Sequence, residues 1–185
     1  MHDTFQLQKA LDADEETRRF QPKVIAADQL PDKLPQRFLF ILNTDPTHKG
    51  GKHWVLAFRR SASKRPVFFD SYGMLPSKYY KGWRKLDSFQ RSTDDFQQLE
   101  TTVCGDHCLY VGKRLAAGHS LAKILKSYSK DDQKHNDEKV FLLIHSRFKF
   151  LNRTDHGRIQ RKKFKPYFQI CLPRKQCENS QSQVL

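Results

Sequence analysis

Three side chains of this chain have the types that hydrolytic thiol chemistry requires: Cys104, His53 and Asp70. A thiol becomes a strong nucleophile when an imidazole takes its proton, and a carboxylate can orient that imidazole and stabilise its charged form. Each residue also has an ordinary alternative. Cys104 alone would be a small buried hydrophobe, His53 is one of 8 histidines, and Asp70 would simply end a strand.

The segment after Cys104 predicts a helix. Its apolar positions recur with helical spacing, at Cys104, Cys108, Val111 and Leu115. Gly118 provides a C-terminal stop, so Cys104 opens the helix, where the helix dipole and unpaired amide N–H groups favour the thiolate. Gly105 leaves room for a substrate to approach the thiol, and Cys108, one turn later, suits core packing better than catalysis.

Three short runs rich in aromatic and branched residues, 37–43, 53–59 and 66–70, predict strands. The connection 61–65 is short enough for a hairpin, so the second and third strands should be antiparallel neighbours. A turn centred on Ser61 and Ala62 would place His53 opposite Asp70, within bonding reach. A slip of one residue would send the two side chains to different faces of the sheet.

A glutamine shortly before the nucleophile can complete such a site. The side-chain amide of Gln97 or Gln98 can donate to the developing oxyanion together with the backbone amide of Cys104. Either glutamine alone would be an ordinary polar loop residue.

The remaining chain predicts a mixed organisation without internal repeats. Residues 3–20 indicate a helix, a proline-punctuated connection follows, and Ser120 can cap a short helix that extends to Tyr128. The apolar run 140–144 fits either a buried helix or a strand. Residues 147–175 hold ten Lys or Arg and one Asp, interleaved with aromatic side chains, and 178–185 have the composition of a frayed tail.

Composition limits the class of protein. Lys and Arg number 34 and Asp and Glu 20, which gives a formal charge of +14 and favours polyanionic partners. Aromatic residues make up 12%, enough for a folded core rather than disorder. No apolar run reaches the ~20 residues of a membrane span, and the acidic, polar N-terminal residues do not resemble a secretion signal, so we expect an intracellular protein with reduced cysteines.

A zinc site is the competing interpretation of the cysteines. Cys104, His107 and Cys108 are clustered in sequence, and Cys171 and Cys177 follow. Structural zinc favours paired Cys-x2-4-Cys spacing, which the second pair lacks, and the first pair lies inside a predicted helix. We therefore expect no metal at these residues.

Three motifs occur in order: NTDPTHKGGKHW, which contains His53 and Trp54, VFFDSYG, which contains Asp70, and FQQLETTVCGDHC, which contains Cys104. Together they resemble the adenovirus protease (adenain) family and the related proteases of adenovirus-like viruses and Maverick/Polinton transposons. More distantly they resemble the SUMO-deconjugating cysteine proteases. The resemblance covers approximately residues 20–125.

The resemblance implies an α+β, papain-like cysteine protease in the adenain/SUMO-protease arrangement, with a central mixed or antiparallel sheet flanked by helices. The chain 1–185 is then one protease domain, with the N-terminal helix at 1–20, the strands bearing His and Asp at 37–73, the nucleophile-bearing helical part at 97–128 and the basic part at 147–175. His53 is the general base, Asp70 its orienting acid and Cys104 the nucleophile.

The resemblance also bears on the remaining site residues. Adenain-like spacing places the oxyanion glutamine at Gln97, whereas the spacing of SUMO proteases places it at Gln98; we favour Gln97. Trp54 resembles the tryptophan that lines the substrate channel, next to Gly105. Such enzymes favour a Gly-Gly-like sequence before the cut, which fits a narrow channel.

Partners implied by the resemblance are viral precursor and capsid proteins as substrates, DNA as an activator, and no membrane. We expect a monomer, located in the virion and host nucleus if viral and otherwise in the nucleus or cytoplasm. The DNA contacts are expected in the basic part, at Arg158, Arg161, Lys162, Lys163 and Lys165. The alternative for these residues is a solvated basic face or a localisation signal.

Two positions depart from the adenain pattern. No cysteine lies between Asp70 and Cys104, where the family's disulfide-forming residue is expected, so we expect no disulfide-linked activating peptide. The acid is Asp, as in SUMO proteases, instead of Glu, and both can orient an imidazole. The chemistry requires no cofactor. Two other functions stay open: an isopeptidase for ubiquitin-like modifiers, and a DNA-binding core protein with a vestigial protease site.

Overall fold

The computed structural model describes residues 2–152, which fold around a five-stranded mixed sheet in the order β1-β2-β3-β4-β5. The strands are β1 Lys23–Ile25, β2 Phe38–Asn43, β3 Trp54–Arg59, β4 Val67–Phe69 and β5 Gln90–Arg91. The central strands β2, β3 and β4 are antiparallel neighbours, and β1 and β5 add to the edges in parallel. The three predicted strands are confirmed, each beginning one residue later than expected.

Both faces of the central strands are buried, which explains their almost continuous apolar sequences. Leu39, Ile41, Leu56 and Phe58 belong to the core on one face, shared with the helices. Phe38, Phe40, Leu42, Val55 and Ala57 belong to the core on the other face, with Trp83 and Leu86. The alternation follows the two-residue period of a strand. The sheet is therefore a rigid layer between two cores.

Helices flank the sheet, so the α+β class is confirmed. In the described residues the α-helices are α1 Thr4–Ala13, α2 Glu15–Arg18, α3 Pro76–Tyr79, α4 Cys104–Ala116, α5 Leu121–Leu125 and α6 Gln133–Arg147. Short 3-10 helices span Ala27–Gln29, Lys81–Leu86 and Lys149–Asn152. Helix α4 packs on β3 and against α6.

Helix α4 begins and ends where the sequence predicts. Cys104 is its first residue, and Gly118, with φ +101, follows its end in the left-handed region that glycine adopts without strain. The Ser120 side chain accepts from the Lys123 amide and caps α5 as predicted, although α5 ends before Tyr128. The ambiguous run 140–144 lies inside α6.

The single helix predicted over 3–20 is wrong, because the chain breaks at Asp14. Asp14 adopts an extended conformation, and its side chain accepts from the amides of Glu16 and Thr17, which starts α2. The same carboxylate lies 3.0 Å from Lys113 of α4 and 3.0 Å from Arg147 of α6. Contacts with distant parts of the chain therefore accompany a break that the local apolar pattern does not reveal.

The β3–β4 hairpin forms, but its register differs from the prediction by two residues. The facing residues are Leu56 with Phe69, Ala57 with Phe68, and Phe58 with Val67. The turn is closed by the Lys64 amide donating to the Ser61 carbonyl, so its centre lies one residue later than expected. Because side chains alternate with a period of two, this shift keeps His53 and Asp70 on one face, and they meet diagonally.

Within residues 2–152 no helix is long and apolar enough to span a bilayer. The predicted frayed tail at 178–185 and most of the basic part at 147–175 lie outside the described residues.

Candidate active site

The hairpin brings His53 and Asp70 into direct contact. His53 immediately precedes β3 and Asp70 immediately follows β4, and antiparallel pairing places these two ends side by side. His53 Nε2 lies 2.7 Å from Asp70 Oδ1, and the side chains are 8% and 0% exposed. The contact expected from the sequence is therefore present, despite the shifted register.

Asp70 is a buried carboxylate surrounded by donors. The Tyr72 amide donates to Oδ1 at 3.1 Å, and the Met74 amide and the Tyr79 hydroxyl donate to Oδ2 at 2.9 and 2.8 Å. Burial and the adjacent Asp70 charge raise the pKa of the Tyr79 hydroxyl, so this group stays a donor. A buried carboxylate with so many hydrogen-bond partners is fixed in orientation.

His53 is tuned towards its charged form. Burial opposes the imidazolium, but hydrogen bonding and charge attraction from Asp70 and Cys104 outweigh burial and raise the pKa of His53 to about 9. The ring of Tyr72 stacks on the imidazole with centroids 4.8 Å apart, a geometry that also favours a cation. Because Nε2 faces Asp70, Nδ1 is the ring nitrogen left for the thiol.

Cys104 lies at the start of α4 and is 2% exposed. The residue before it, Val103, has no side-chain acceptor for the amides of the first helical turn. The Val103 side chain therefore does not cap the backbone N–H groups of the first turn. These groups, including that of Cys104, can donate hydrogen bonds to an anion. The thiol lies close enough to the imidazole to help raise the pKa of His53, so Cys104, His53 and Asp70 lie next to one another.

The two candidate glutamines have different environments. Gln97 is 1% exposed, whereas Gln98 is exposed. The Ser71 hydroxyl donates to Gln97 Oε1 at 2.7 Å, and Gln97 Nε2 donates to the Thr101 carbonyl at 3.1 Å and to the Thr101 hydroxyl at 3.2 Å. Ser71 follows Asp70 in sequence, and Thr101 lies just ahead of Cys104. The Gln97 amide is thus held between the two parts of the site.

A buried network supports the loop between Gln97 and Cys104. His107 Nε2 lies 2.8 Å from Asp137 Oδ1, and His107 Nδ1 lies 3.0 Å from the Tyr128 hydroxyl. Asp137 Oδ2 accepts from the Thr101 hydroxyl at 2.7 Å and from the backbone N–H of Gln98 at 3.2 Å. Sequence reasoning missed Asp137, because nothing in the polar N-terminal half of α6 marks one carboxylate as buried.

Trp54 and Gly105, the expected channel residues, contact the N-terminal segment. The Trp54 indole donates to the His2 carbonyl at 3.0 Å. A Cβ at Gly105 would lie 3.1 Å from the Leu7 side chain and 3.4 Å from that of His2. The absence of a side chain at Gly105 therefore accommodates α1 and the residue ahead of it.

Cys108 packs in the core. It is 1% exposed, and its thiol donates to the Trp54 carbonyl at 3.3 Å. Burial raises the pKa of this thiol well above its ordinary value, and the charges of the nearby Cys104 and acidic groups raise it further. Because Cys108 faces Trp54 and His107 faces Asp137 and Tyr128, the two do not converge with Cys104 on a common metal position.

The expected DNA-contacting residues Arg158, Arg161, Lys162, Lys163 and Lys165 lie outside the described residues, as do Cys171 and Cys177. A scan against protein-family models finds no model that matches the chain, and a search of curated proteins finds no match either.

Proposed function

We propose that the protein is a cysteine endopeptidase with a papain-like α+β fold in the adenain arrangement. Cys104 is its nucleophile, His53 its acid and base, and Asp70 the residue that orients His53. The observation that carries the proposal is the 2.7 Å contact between His53 and the fully buried Asp70, with the Cys104 thiol, at a helix N-terminus, near enough to help raise the pKa of His53.

The first half of the reaction forms an acyl-enzyme. Cys104 attacks the scissile carbonyl as its thiol proton passes to His53, whose pKa of about 9 favours the imidazolium. A carbon–sulfur bond forms and the carbonyl oxygen becomes an oxyanion. The Cys104 backbone amide stabilises it together with the Gln97 side-chain amide, whose Nε2 turns from Thr101 to the substrate. The intermediate collapses as the carbon–nitrogen bond breaks, and His53 gives its proton to the leaving amine.

The second half releases the acyl group. Neutral His53 takes a proton from water, and the resulting hydroxide attacks the thioester carbonyl. The carbon–sulfur bond then breaks, and the departing Cys104 sulfur regains a proton from His53, which restores the starting state of the enzyme. Asp70 holds the imidazole in place throughout, and its hydrogen bonds with Tyr72, Met74 and Tyr79 fix its own position.

The proposed substrates are viral or virus-derived precursor proteins, cut after Gly-Gly-like sequences. This assignment rests on the adenain-like order of the three motifs. The proposed role of DNA rests on the charge of +14 and on the basic residues 158–165, which would concentrate the enzyme on a polyphosphate beside its substrates. Activity in the virion and host nucleus follows from the same proposal.

The direct test is cleavage of a Gly-Gly-containing peptide library by the wild type, with and without duplex DNA at two salt concentrations. We expect cleavage by the wild type and none by Cys104→Ser. Cys108→Ser is the matched control, because it replaces the other thiol in the described residues and its hydroxyl can still donate to the Trp54 carbonyl. It should leave cleavage unchanged.

Three outcomes separate the candidate functions. Better cleavage of a folded ubiquitin-like fusion than of short peptides would favour an isopeptidase. Tight DNA binding without cleavage, in all conditions, would contradict the enzyme and favour the core protein with a vestigial site. A stimulation of cleavage by DNA that disappears at the higher salt concentration would support the endopeptidase and its proposed activation.

A further inference from the structure

A second cluster of titratable side chains includes Asp106, which follows Cys104 by two residues in the sequence. His2 precedes α1, Asp106 belongs to the first turn of α4, and His145 belongs to the last turn of α6. His2 Nε2 lies 2.8 Å and His145 Nε2 3.2 Å from the same oxygen, Asp106 Oδ1. Residues 143 positions apart in the chain thus meet at one carboxylate.

We propose that His2, Asp106 and His145 form a binding site for a divalent transition metal ion of the zinc type. Their three ligand atoms all lie within 4.8 Å of one another. Two imidazole nitrogens and one carboxylate oxygen suit Zn²⁺ or Co²⁺ and do not suit Mg²⁺ or Ca²⁺, which prefer all-oxygen ligands. Three protein ligands leave the fourth tetrahedral position to water.

Burial supports a site that excludes most solvent. The side chains of His2, Asp106 and His145 are 10%, 2% and 10% exposed. The Phe141 ring stacks on the His145 imidazole with centroids 3.9 Å apart. The His2 carbonyl accepts from the Trp54 indole, which anchors the backbone that carries the first imidazole. Partners of this kind hold metal-binding side chains in orientation.

The spacing requires a small adjustment when the ion binds. A tetrahedral zinc ion with bonds of about 2.1 Å separates its ligand atoms by about 3.4 Å. The His145 contact with Asp106, at 3.2 Å, is already close to that value, whereas the His2 contact, at 2.8 Å, must open. His2 lies outside any helix or strand, so its imidazole can shift by about an ångström without disturbing a backbone hydrogen-bond ladder.

Metal binding at this position would join three parts of the fold. The segment ahead of α1, the first turn of α4 and the last turn of α6 would share one ion, two residues beyond Cys104. An ion that binds only the folded chain raises its stability according to its affinity. The proposal does not depend on the thiol chemistry, because none of the three ligands is assigned a role there.

The test is a titration of the full-length protein with Co²⁺, followed by visible absorption, with Zn²⁺ as the competitor. The same titration is repeated with Cys104→Ser, so that Cys104 cannot supply a ligand. We expect one Co²⁺ per chain, displaced by Zn²⁺, and a rise in the unfolding temperature with Zn²⁺. His2→Gln and His145→Gln should each weaken binding at least about tenfold, since even the loss of a residue that only supports a ligand costs that much.

His135→Gln is the matched control, because His135 is an exposed histidine on the same helix as His145. It should leave affinity and absorption unchanged. Cys171 and Cys177 could also bind Co²⁺ and change the number of ions bound per chain. The assignment of the site therefore depends on the histidine variants and not on the stoichiometry. If His145→Gln impairs folding, His2→Gln alone decides. No binding, or binding unchanged in His2→Gln, would overturn the proposal and leave a hydrogen-bonded His–Asp–His cluster.

Discussion

At the scale of single residues, the site is defined by which polar groups are buried and what they contact. Gln97 and Gln98 are adjacent in sequence, yet only Gln97 is buried and bound to Ser71 and Thr101. The sequence leaves these two residues as alternatives, because spacing alone does not reveal which amide points inwards. Their neighbouring positions offer a matched pair for testing the oxyanion role.

We expect Gln97→Ala to lower kcat for peptide cleavage by about 100-fold, because an oxyanion donor is lost in a buried site. Gln98→Ala should change kcat by less than about twofold, since this exposed side chain has no role in the proposed reaction. Steady-state kinetics on one Gly-Gly-containing peptide measures both variants. Equal losses in the two, or a larger loss in Gln98→Ala, would refute the assignment of Gln97.

His53 predicts a specific dependence of stability on pH. Its pKa rises from 6.5 to about 9 on folding, so the folded protein binds this proton more tightly than the unfolded chain does. The resulting stabilisation is complete below about pH 6.5 and is lost as the pH rises through about 9. Its upper limit is about 3 kcal/mol.

Chemical denaturation at several pH values tests this dependence. The free energy of unfolding of the wild type should fall between neutral pH and pH 9 by more than that of His53→Gln. His135→Gln, which changes an exposed histidine, should follow the wild type. If wild type and His53→Gln lose stability in parallel, the perturbed titration of His53 is wrong.

At the scale of elements, local sequence patterns predict the long strands and the nucleophile-bearing helix, whereas the short edge strands and the break in the N-terminal helix accompany tertiary contacts. The strands β2 to β4 and the start of α4 follow from apolar period and turn residues. The edge strands β1 and β5, of 3 and 2 residues, are too short to give a pattern. The break at Asp14 involves contacts with Lys113 and Arg147, which lie far away in sequence.

The three central residues of the site were predictable because they lie on elements that the local sequence pattern reveals. His53, Asp70 and Cys104 lie at the ends of elements with a clear apolar pattern. The predicted and the observed hairpin registers differ by two residues, and both place His53 and Asp70 on the same face of the sheet. Tyr79, Ser71 and Asp137 reach the site from a short helix, a turn and a polar helix. Nothing in their local sequence distinguishes them from other surface residues, so only the fold reveals their contacts.

Asp137 tests whether α6 positions the loop that leads to Cys104. Asp137→Asn replaces one carboxylate oxygen with a donor, and both oxygens now act as partners, to His107 and to Thr101 and Gln98. We expect about a tenfold fall in kcat with little change in KM, and a loss of stability of about 2 kcal/mol. Alkylation of Cys104 by iodoacetamide should keep its rate, since that reaction needs no oxyanion support.

Glu138→Gln is the control for Asp137→Asn, because it neutralises the next carboxylate on the same helix. It should leave both kcat and stability within experimental error of the wild type. A loss of stability in Asp137→Asn without a change in kcat would mean that the network is structural only.

At the scale of the whole molecule, charge is the dominant feature. The chain has 34 basic and 20 acidic residues. This positive charge makes any association with DNA depend on salt, because counterions are released when the phosphates are bound. The chain concentrates basic residues in 147–175, which lie largely beyond the described residues. A binding measurement therefore tests their proposed contribution.

We expect the combined change of Arg161, Lys162, Lys163 and Lys165 to Gln to weaken DNA binding. It should also reduce the slope of log K against log salt by up to about 3.6, since each lost phosphate contact removes about 0.9. The control changes four exposed lysines elsewhere to Gln: Lys33, Lys64, Lys126 and Lys134. Equal effects of the two sets would show that overall charge, not the basic part, governs binding.

The most direct test of the central claim is covalent labelling with a Gly-Gly peptide that carries a vinyl sulfone in place of the scissile bond. Intact mass and peptide mapping locate the adduct. We predict one adduct, on Cys104 and not on Cys108, formed at least about 100-fold more slowly in His53→Ala because the thiol has lost its base. No adduct on Cys104, or a rate unaffected by His53→Ala, would contradict the proposed cysteine peptidase.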